Sequence, residues 1–239
     1  MSIYFTYYIL GIVMIPGLIL GAIASYRVQK TFNKYKTESS RGRKACDVAR
    51  KMLNDAGCTE TQITKINGHL TDNYNPQSDV VSLSQSTHDS TSISAIGVAC
   101  HEAGHVLQHK QNYVPVKIRS ALVPVLNVCN YLTWPLLVVG LVAEIAYYAT
   151  WAKWLIYIAV GIYALETIFT LVTLPVELNA SKRAYNTLLE TNELTEEEAK
   201  KVKKVLNAAA LTYVAALITS ILSLLRVVLL IFATRRNRN

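Results

Sequence analysis

A histidine, a glutamate and a second histidine occur close together in GVACHEAGHVLQHK, residues 97–110. On an α-helix, His101 and His105 lie one turn apart on the same face, so both imidazoles can reach one zinc ion. Glu102 then projects beside the metal, where a carboxylate acts as a general base. Two solvated histidines on a helix would give the same HExxH pattern by chance. A predicted helix from Ile93 to Lys110, preceded by two predicted strands, favours the metal site.

A catalytic zinc site needs a third protein ligand and an open position for water. His109 follows His101 by eight residues, about 12 Å along a straight helix, which is too far to bind the same ion. Glu177, in TLPVELNASKRA, would complete a His-His-Glu site. Its position alone is explained equally well by an ordinary acid near a helix start. We interpret His69 and His88 as surface residues in loops.

Long apolar segments alternate with charged ones, which is typical of a membrane protein with a soluble part. The chain has 239 residues, a net charge of +8 and 51% hydrophobic residues. A spanning helix needs roughly 20 apolar residues. Four segments meet this length: Ile3 to Ser25, Ala121 to Thr150, Trp154 to Val176 and Ala208 to Thr234. No Lys or Arg precedes the first one, so we interpret it as a retained anchor and not as a signal peptide.

Basic residues beside the predicted spans indicate their orientation, because cytoplasmic loops are enriched in Lys and Arg. The residues assigned to the cytoplasmic side are Arg27, Lys30, Lys34, Lys36, Lys117, Arg119, Lys182, Arg183 and the cluster from Lys200 to Lys204. Those assigned to the outer side are Lys153, Arg235, Arg236 and Arg238. The three terminal arginines leave the side of the carboxyl terminus open.

The sequence predicts a multi-pass protein of the cytoplasmic membrane with its catalytic site at the cytoplasmic face. Anionic lipid is the expected partner of the basic residues, and nucleic acid is not, because no aromatic residues interleave with them. Glu144, Glu166 and Arg226 lie within apolar segments, where ionisable residues are usually paired. We expect Arg226 to pair with one of the two glutamates. Four cysteines without a CxxC motif are expected to be free thiols.

Local patterns predict the elements of the soluble part. An amphipathic helix is expected from Gly42 to Ala56, and short strands at Gln62 to Ile66 and Asp79 to Ser84. Thr195 and Glu198 form a capping-box pattern that starts another helix. Pro175 suits either the first turn of a helix or a break from the membrane span.

These elements define a mainly α-helical integral membrane protein with about four transmembrane helices and a small cytoplasmic α+β domain. The predicted segments are an anchor (1–25), a catalytic domain (26–120), two spans (121–176), cytoplasmic helices with the third ligand (177–207), and a last span with a basic tail (208–239).

Five segments together resemble the YugP-type family of neutral zinc metallopeptidases: GHLTDNYNP, AIGVACHEAGHVLQH, RSALVPV, LVTLPVELNASKRA and KKVLNAAALTYVAA. The similarity covers nearly the whole chain, in order. The layout is more distantly similar to membrane gluzincins such as HtpX and the CAAX prenyl proteases. The resemblance implies a zincin-like catalytic domain with one zinc ion per chain, bound by His101, His105 and Glu177, and with Glu102 as the catalytic residue.

Two positions depart from the patterns of these families. Asn73 stands where the family is expected to have a histidine, in the turn LTDNY. Ser181 stands where the distant gluzincins place an aspartate, four residues after the glutamate ligand. A serine can still hydrogen-bond a metal ligand, although more weakly than a carboxylate does.

The chemistry expected from this site is zinc-dependent hydrolysis of peptide bonds in proteins or peptides near the membrane. Tyr74, Asn179 and Arg183 are candidate donors to the oxyanion. The predicted strand VVSLS, residues 80–84, either pairs with an extended substrate as an edge strand or is a plain core strand. The substrate and the oligomeric state stay open.

Two alternatives to this function remain. One is a site-2-type intramembrane protease, but Ile93 to Leu107 is short for a spanning helix and is bounded by polar residues. The other is a non-catalytic membrane scaffold or assembly protein with a relic site.

Overall fold

The computed structural model describes residues 11–147 and 149–236, which are mainly helical, as predicted. In chain order the elements are α1 (Ile15–Lys36), α2 (Ala45–Asp55), β1 (Gln62–Ile66), β2 (Asn73–Asn75), β3 (Val80–Ser84), α3 (Ile93–Lys110), α4 (Val114–Tyr147), α5 (Ala152–Glu190) and α6 (Glu196–Arg236). The chain forms two compact units. The first comprises residues 118–174 with the described residues up to 22 and from 213, and the second comprises Ile23–Lys117 and Pro175–Thr212.

Within the described residues, three helices are long and apolar enough to cross a membrane, judged by length and composition. They are Val114–Ala143, Ala152–Glu190 and Glu196–Phe232, and they overlap three of the four predicted spans. Large apolar side chains along them, such as Val128, Trp134 and Ile158, are exposed. Residues 3–10 of the first predicted span lie outside the described residues, so a fourth span stays a prediction.

The predicted pairing of Arg226 with Glu144 or Glu166 also stays a prediction. The side chain of Glu144 lies outside the described part of the chain.

Helix α5 continues through Pro175 without a break. The prediction that Pro175 starts a helix or breaks from the span is therefore wrong. A proline removes one N–H and so one helical hydrogen bond. The residues that follow are held by packing, because Val176, Glu177 and Ala180 are at most 2% exposed. Their burial offsets the lost hydrogen bond and keeps the helix regular.

The second unit contains a three-stranded sheet in the order β1-β3-β2. Strand β1 runs parallel to β3, and β2 runs antiparallel to it. The two predicted strands are present, but β2 was not predicted, because its three residues lie among turn formers. Strand β3 is central, and its side chains Val81 and Leu83 are fully buried. The idea that β3 is an edge strand for substrate is therefore wrong, and the core-strand alternative is correct.

Helix α2 buries the apolar face that its sequence predicts, although it begins at Ala45 and not at Gly42. The buried residues are Ala45, Val48, Ala49, Met52 and Leu53. After the helix, Gly57 adopts a φ of 73°, a left-handed conformation that glycine reaches without steric cost. This face and β3 both contribute to the core of the second unit.

Side-chain caps define the starts of α3 and α6. The hydroxyl oxygen of Ser92 accepts a hydrogen bond from the Ala95 N–H at 3.2 Å, and α3 has the predicted bounds. Before α6, the Thr195 N–H donates to the Glu198 carboxylate at 2.8 Å, and the Glu198 N–H donates to the Thr195 hydroxyl oxygen at 3.3 Å. The predicted capping box is therefore confirmed.

Two glycines on α3 allow neighbouring helices to approach closely. A Cβ at Gly104 would lie 2.6 Å from the carbonyl oxygen of Ala180 on α5. A Cβ at Gly97 would lie 3.0 Å from Cγ1 of Val202 on α6. The first contact is with backbone, which cannot rotate away, so the approach of α3 to α5 requires a glycine at position 104.

We predict that Gly104→Ala destabilises the protein far more than Gly97→Ala. Overpacking of a close contact costs about 1–3 kcal/mol, and at position 104 the helix backbone itself must move. At position 97 a side-chain methyl can shift, and the gain in helix propensity of up to about 1 kcal/mol offsets part of the strain. Thermal unfolding of both variants in detergent measures the difference. Equal melting temperatures would contradict the close approach.

Candidate metal centre

Helices α3 and α5 bring together the three residues that were predicted as metal ligands. Nε2 of His101 lies 3.2 Å from Oε2 of Glu177, and Nε2 of His105 lies 3.4 Å from the same oxygen. One ligand atom from each residue lies within 4.8 Å of the other two. The helical spacing of the histidines orients their rings nearly perpendicular, at 83°. Glu177 is buried, with 2% of its surface exposed.

The geometry of this cluster fits a zinc ion. Zinc binds imidazole nitrogens and carboxylate oxygens at about 2.0–2.2 Å, and two ligands of a tetrahedral ion at that distance lie about 3.4 Å apart. The observed separations of 3.2 and 3.4 Å agree with this value. Two imidazoles and one carboxylate form one of the donor sets of catalytic zinc sites, in which the fourth position is left for water or substrate.

Both histidines are hydrogen-bonded on the ring nitrogen that faces away from Glu177. Nδ1 of His101 lies 3.1 Å from the hydroxyl oxygen of Ser181. Nδ1 of His105 lies 2.9 Å from Oε1 of Gln108. Partners at Nδ1 fix the ring orientation and present Nε2 to the metal. Ser181 therefore makes the contact with a histidine that an aspartate is expected to make in the distant gluzincins.

Gln108 is a residue of the site that the sequence analysis missed. Its side chain is fully buried, and its amide group donates to the Val176 carbonyl oxygen at 2.7 Å and to Oδ1 of Asn179 at 3.0 Å. It thus links the end of the HExxH motif to α5. The available signal was a polar residue three positions after His105, on the helix face that also carries the histidines.

Glu102 is buried beside the two histidines, with 9% of its surface exposed. Burial raises its pKa, and the negative charges of Glu177 and Asp72 act in the same direction, against the effect of His101 and His105. A carboxylate with a raised pKa holds a proton more firmly than an exposed one. This property suits a group that takes up a proton and later releases it.

The pKa of His105 results from opposing effects. Burial lowers it, but the hydrogen bond with Glu177 and the charges of Glu102 and Glu177 outweigh burial and raise it overall. The electrostatic potential at the site is thus strongly negative. Such an environment favours a positive charge, either a proton on the imidazole or a metal cation.

Asp72 was also missed by the sequence analysis, where it appeared only as part of a turn. Its carboxylate accepts hydrogen bonds from the Ser84 N–H at 2.8 Å, the Ser84 hydroxyl at 3.0 Å and the Thr87 hydroxyl at 3.1 Å. These contacts hold the segment before β2 against the end of β3.

The other histidines lie apart from the cluster. His109 packs edge-on against the ring of Tyr74, and His69 packs against Phe32, with ring centroids 5.6 Å apart in both pairs. Among the described residues, His88 belongs to a second group of possible ligands with Cys46 and Asp89. However, Asp89 forms ion pairs with Lys44 and Lys65, so its charge is already compensated.

The candidate oxyanion donors are engaged in other contacts. The Tyr74 hydroxyl donates to Asp79 at 2.9 Å, and burial together with this hydrogen bond raises the pKa of Tyr74. Arg183 donates from Nε to Oδ1 of Asn179 at 2.7 Å. The Asn73 amide donates to the backbone oxygen of Thr71, outside the cluster. The donor to the oxyanion stays unassigned.

Comparisons with known proteins identify the class of this protein as that of the zinc metallopeptidases. The model of a family described as "Putative neutral zinc metallopeptidase" matches residues 10–232, and the chain belongs to this family. A relative in Bacillus subtilis (strain 168) is named "Putative membrane protease YugP". It is 39% identical over 228 residues, which cover 94% of this chain and 97% of that protein. No solved structure matches the chain significantly.

We predict that Ser181→Ala weakens zinc binding, because His101 loses its partner at Nδ1. Loss of such a partner typically lowers metal affinity about 10-fold to 100-fold. Ser181→Asp restores the affinity, because a carboxylate is the stronger acceptor for an imidazole N–H. Competition with a chelator measures both variants. An unchanged affinity in Ser181→Ala would show that this hydroxyl does not support the ligand.

Proposed function

We propose that the protein is a membrane-embedded zinc endopeptidase that hydrolyses peptide bonds of membrane or membrane-proximal proteins. The observation that carries the proposal is the cluster of His101, His105 and Glu177 at the spacing of zinc ligands, with Glu102 buried beside it. Membership of a zinc metallopeptidase family supports the same function.

Zinc bound by these three residues would supply a Lewis acid that polarises water and the scissile carbonyl group. The chain itself supplies the proton transfers. The Glu102 carboxylate takes a proton from the attacking water and delivers it to the nitrogen of the leaving amine. Burial of Glu102 keeps bulk water from competing for this proton, and its raised pKa makes it a stronger base than an exposed glutamate.

Strand β2 is suited to bind an extended substrate. It pairs with β3 along one edge, and no other strand of the described chain pairs with its second edge. Tyr74 in the middle of β2 packs against His109 of α3, the helix of the HExxH motif. A peptide added to this edge would use its own backbone hydrogen bonds, which fits cleavage of many sequences.

The charge distribution supports a catalytic site at the cytoplasmic face of the cell membrane. Arg27, Lys30 and Lys34 are exposed on α1, after its apolar first half, as is typical of cytoplasmic segments. Trp151, just before α5, and Trp154, in the first turn of α5, are exposed, and tryptophan is enriched at membrane–water interfaces. The Lys153 ammonium group lies 5.8 Å from the Trp154 ring, which suits the headgroup layer.

Metal analysis of the detergent-purified protein is expected to find about one zinc ion per chain. Glu177→Ala should lose most of this zinc, because one of the three protein ligands is removed. Glu190→Ala, at an exposed position on the same helix, is the control and should retain it. Zinc retained by a folded Glu177→Ala protein would mean that another residue is the third ligand.

Glu102→Gln is expected to lower peptidase activity by about 10²-fold to 10⁴-fold, the usual contribution of a general base. Zinc content and thermal stability should stay unchanged, because Glu102 is not a ligand. Glu60→Gln makes the same chemical change on the surface and should keep full activity. Hydrolysis of a fluorescently labelled, unfolded casein by the zinc-loaded protein provides the assay.

The same experiment separates the enzyme from the two alternatives. A non-catalytic scaffold would show no zinc-dependent cleavage, and Glu102→Gln would change nothing. A site-2-type protease would cleave within the bilayer. Against that alternative, α3 is not among the candidate spans of the described chain, and cleavage of a soluble casein would also argue against it.

A further inference from the structure

Hydrogen bonds behind His105 connect it to a charged residue at the surface. We propose that Arg183 is a positioning residue that, through Asn179 and Gln108, sets which ring nitrogen of His105 is available to the metal. The inference rests on the proposed zinc site, and it assigns a role to residues that lie outside the ligand set.

Arg183 determines which group donates in each of these hydrogen bonds, because a guanidinium group can only donate. Its Nε donates to Oδ1 of Asn179 at 2.7 Å, and another of its nitrogens donates to Oε1 of Gln111. The side-chain amide of Asn179 must therefore turn its oxygen, and not its nitrogen, towards Arg183. The two residues lie four positions apart on α5, where side chains meet.

The same Asn179 oxygen accepts a second hydrogen bond from Nε2 of Gln108 at 3.0 Å. The other acceptor for this amide group is the Val176 carbonyl oxygen, at 2.7 Å. A flipped Gln108 amide would place its oxygen against both of these oxygens. Gln108 is fully buried, so water could not relieve that repulsion.

With its amide held in this orientation, Gln108 presents Oε1 to Nδ1 of His105 at 2.9 Å. An amide oxygen can only accept, so Nδ1 of His105 must carry a hydrogen. The lone pair of the neutral ring then lies on Nε2, which is the nitrogen that faces Glu177. Three successive hydrogen bonds therefore connect Arg183 to His105: Arg183 to Asn179, Gln108 to Asn179, and His105 to Gln108. Because Arg183 can only donate, these bonds determine which nitrogen of His105 carries the hydrogen.

His101 provides an internal comparison. Its Nδ1 partner is the Ser181 hydroxyl, which can either donate or accept. Nothing in that contact selects one tautomer. A change at Arg183 should therefore affect His105 and leave His101 unchanged.

The test uses the full-length protein in detergent, with the variants Arg183→Met and Arg183→Gln. Competition with a chelator should show zinc affinity about fivefold to tenfold weaker in both, at the low end of the effect of outer ligand partners. Arg183→Lys should recover most of the loss, because an ammonium group also only donates. Lys182→Met removes the same charge from an exposed neighbour and serves as the matched control.

Nitrogen NMR of histidine-labelled, metal-free protein at alkaline pH, where the imidazole is neutral, gives a readout that a merely structural role would not move. In the wild type, Nδ1 of His105 should be protonated, whereas Arg183→Met should show a mixture of ring forms for His105 only. The inference would be overturned if Nδ1 of His105 carried no proton in the wild type. It would also be overturned if Arg183→Met and Arg183→Gln bound zinc as tightly as the wild type does. If the wild type binds no zinc, the proposed function fails, and the NMR measurement still decides the inference about His105.

Discussion

The approach of α3 to α5 at Gly104 is the constraint on which the candidate site depends. A Cβ at this position would lie 2.6 Å from the backbone oxygen of Ala180. Gly104 directly precedes His105, one of the candidate ligands, and Ala180 follows Glu177 by less than one turn. Because the backbones nearly touch there, the side chains beside the contact are close enough to share an ion. A larger residue at position 104 would push the helices apart and lengthen the distances between the candidate ligands.

Charge balance favours a divalent cation at the cluster of His101, His105 and Glu177. Glu102 and Glu177 are both buried, and Asp72 adds a third negative charge nearby. Buried carboxylates are costly unless a cation or hydrogen bonds compensate them. The two imidazoles are neutral in their ordinary form and do not balance these negative charges. An ion of charge +2 would balance the two glutamates with little reorganisation of the protein.

The sequence predicted those features that depend on local patterns. The bounds of α3, the buried face of α2 and the capping box of α6 follow from periodicity and neighbouring residues, and so does the proximity of His101 to His105. Features that arise from tertiary packing were not predictable. The burial of α5 offsets the local cost of Pro175, the pairing of β2 depends on β3, and Gln108 looks like a surface residue until α5 covers it. For Glu177, the sequence alone left an ordinary helix-start acid as an equal alternative.

Helix α5 is continuous through Pro175 and carries Glu177, Asn179, Ser181 and Arg183 within two turns. One continuous helix therefore carries the candidate third ligand, the Nδ1 partner of His101, and Asn179, which hydrogen-bonds Gln108, the partner of His105 on α3. A shift of α5 along α3 by a single turn, about 5.4 Å, would separate Glu177 and Ser181 from the histidines together, and Asn179 from Gln108. Such a site can bind metal only when α3 and α5 are in this one register. Bound metal would in turn stabilise that register, because the free energy of metal binding would also stabilise the association of α3 with α5.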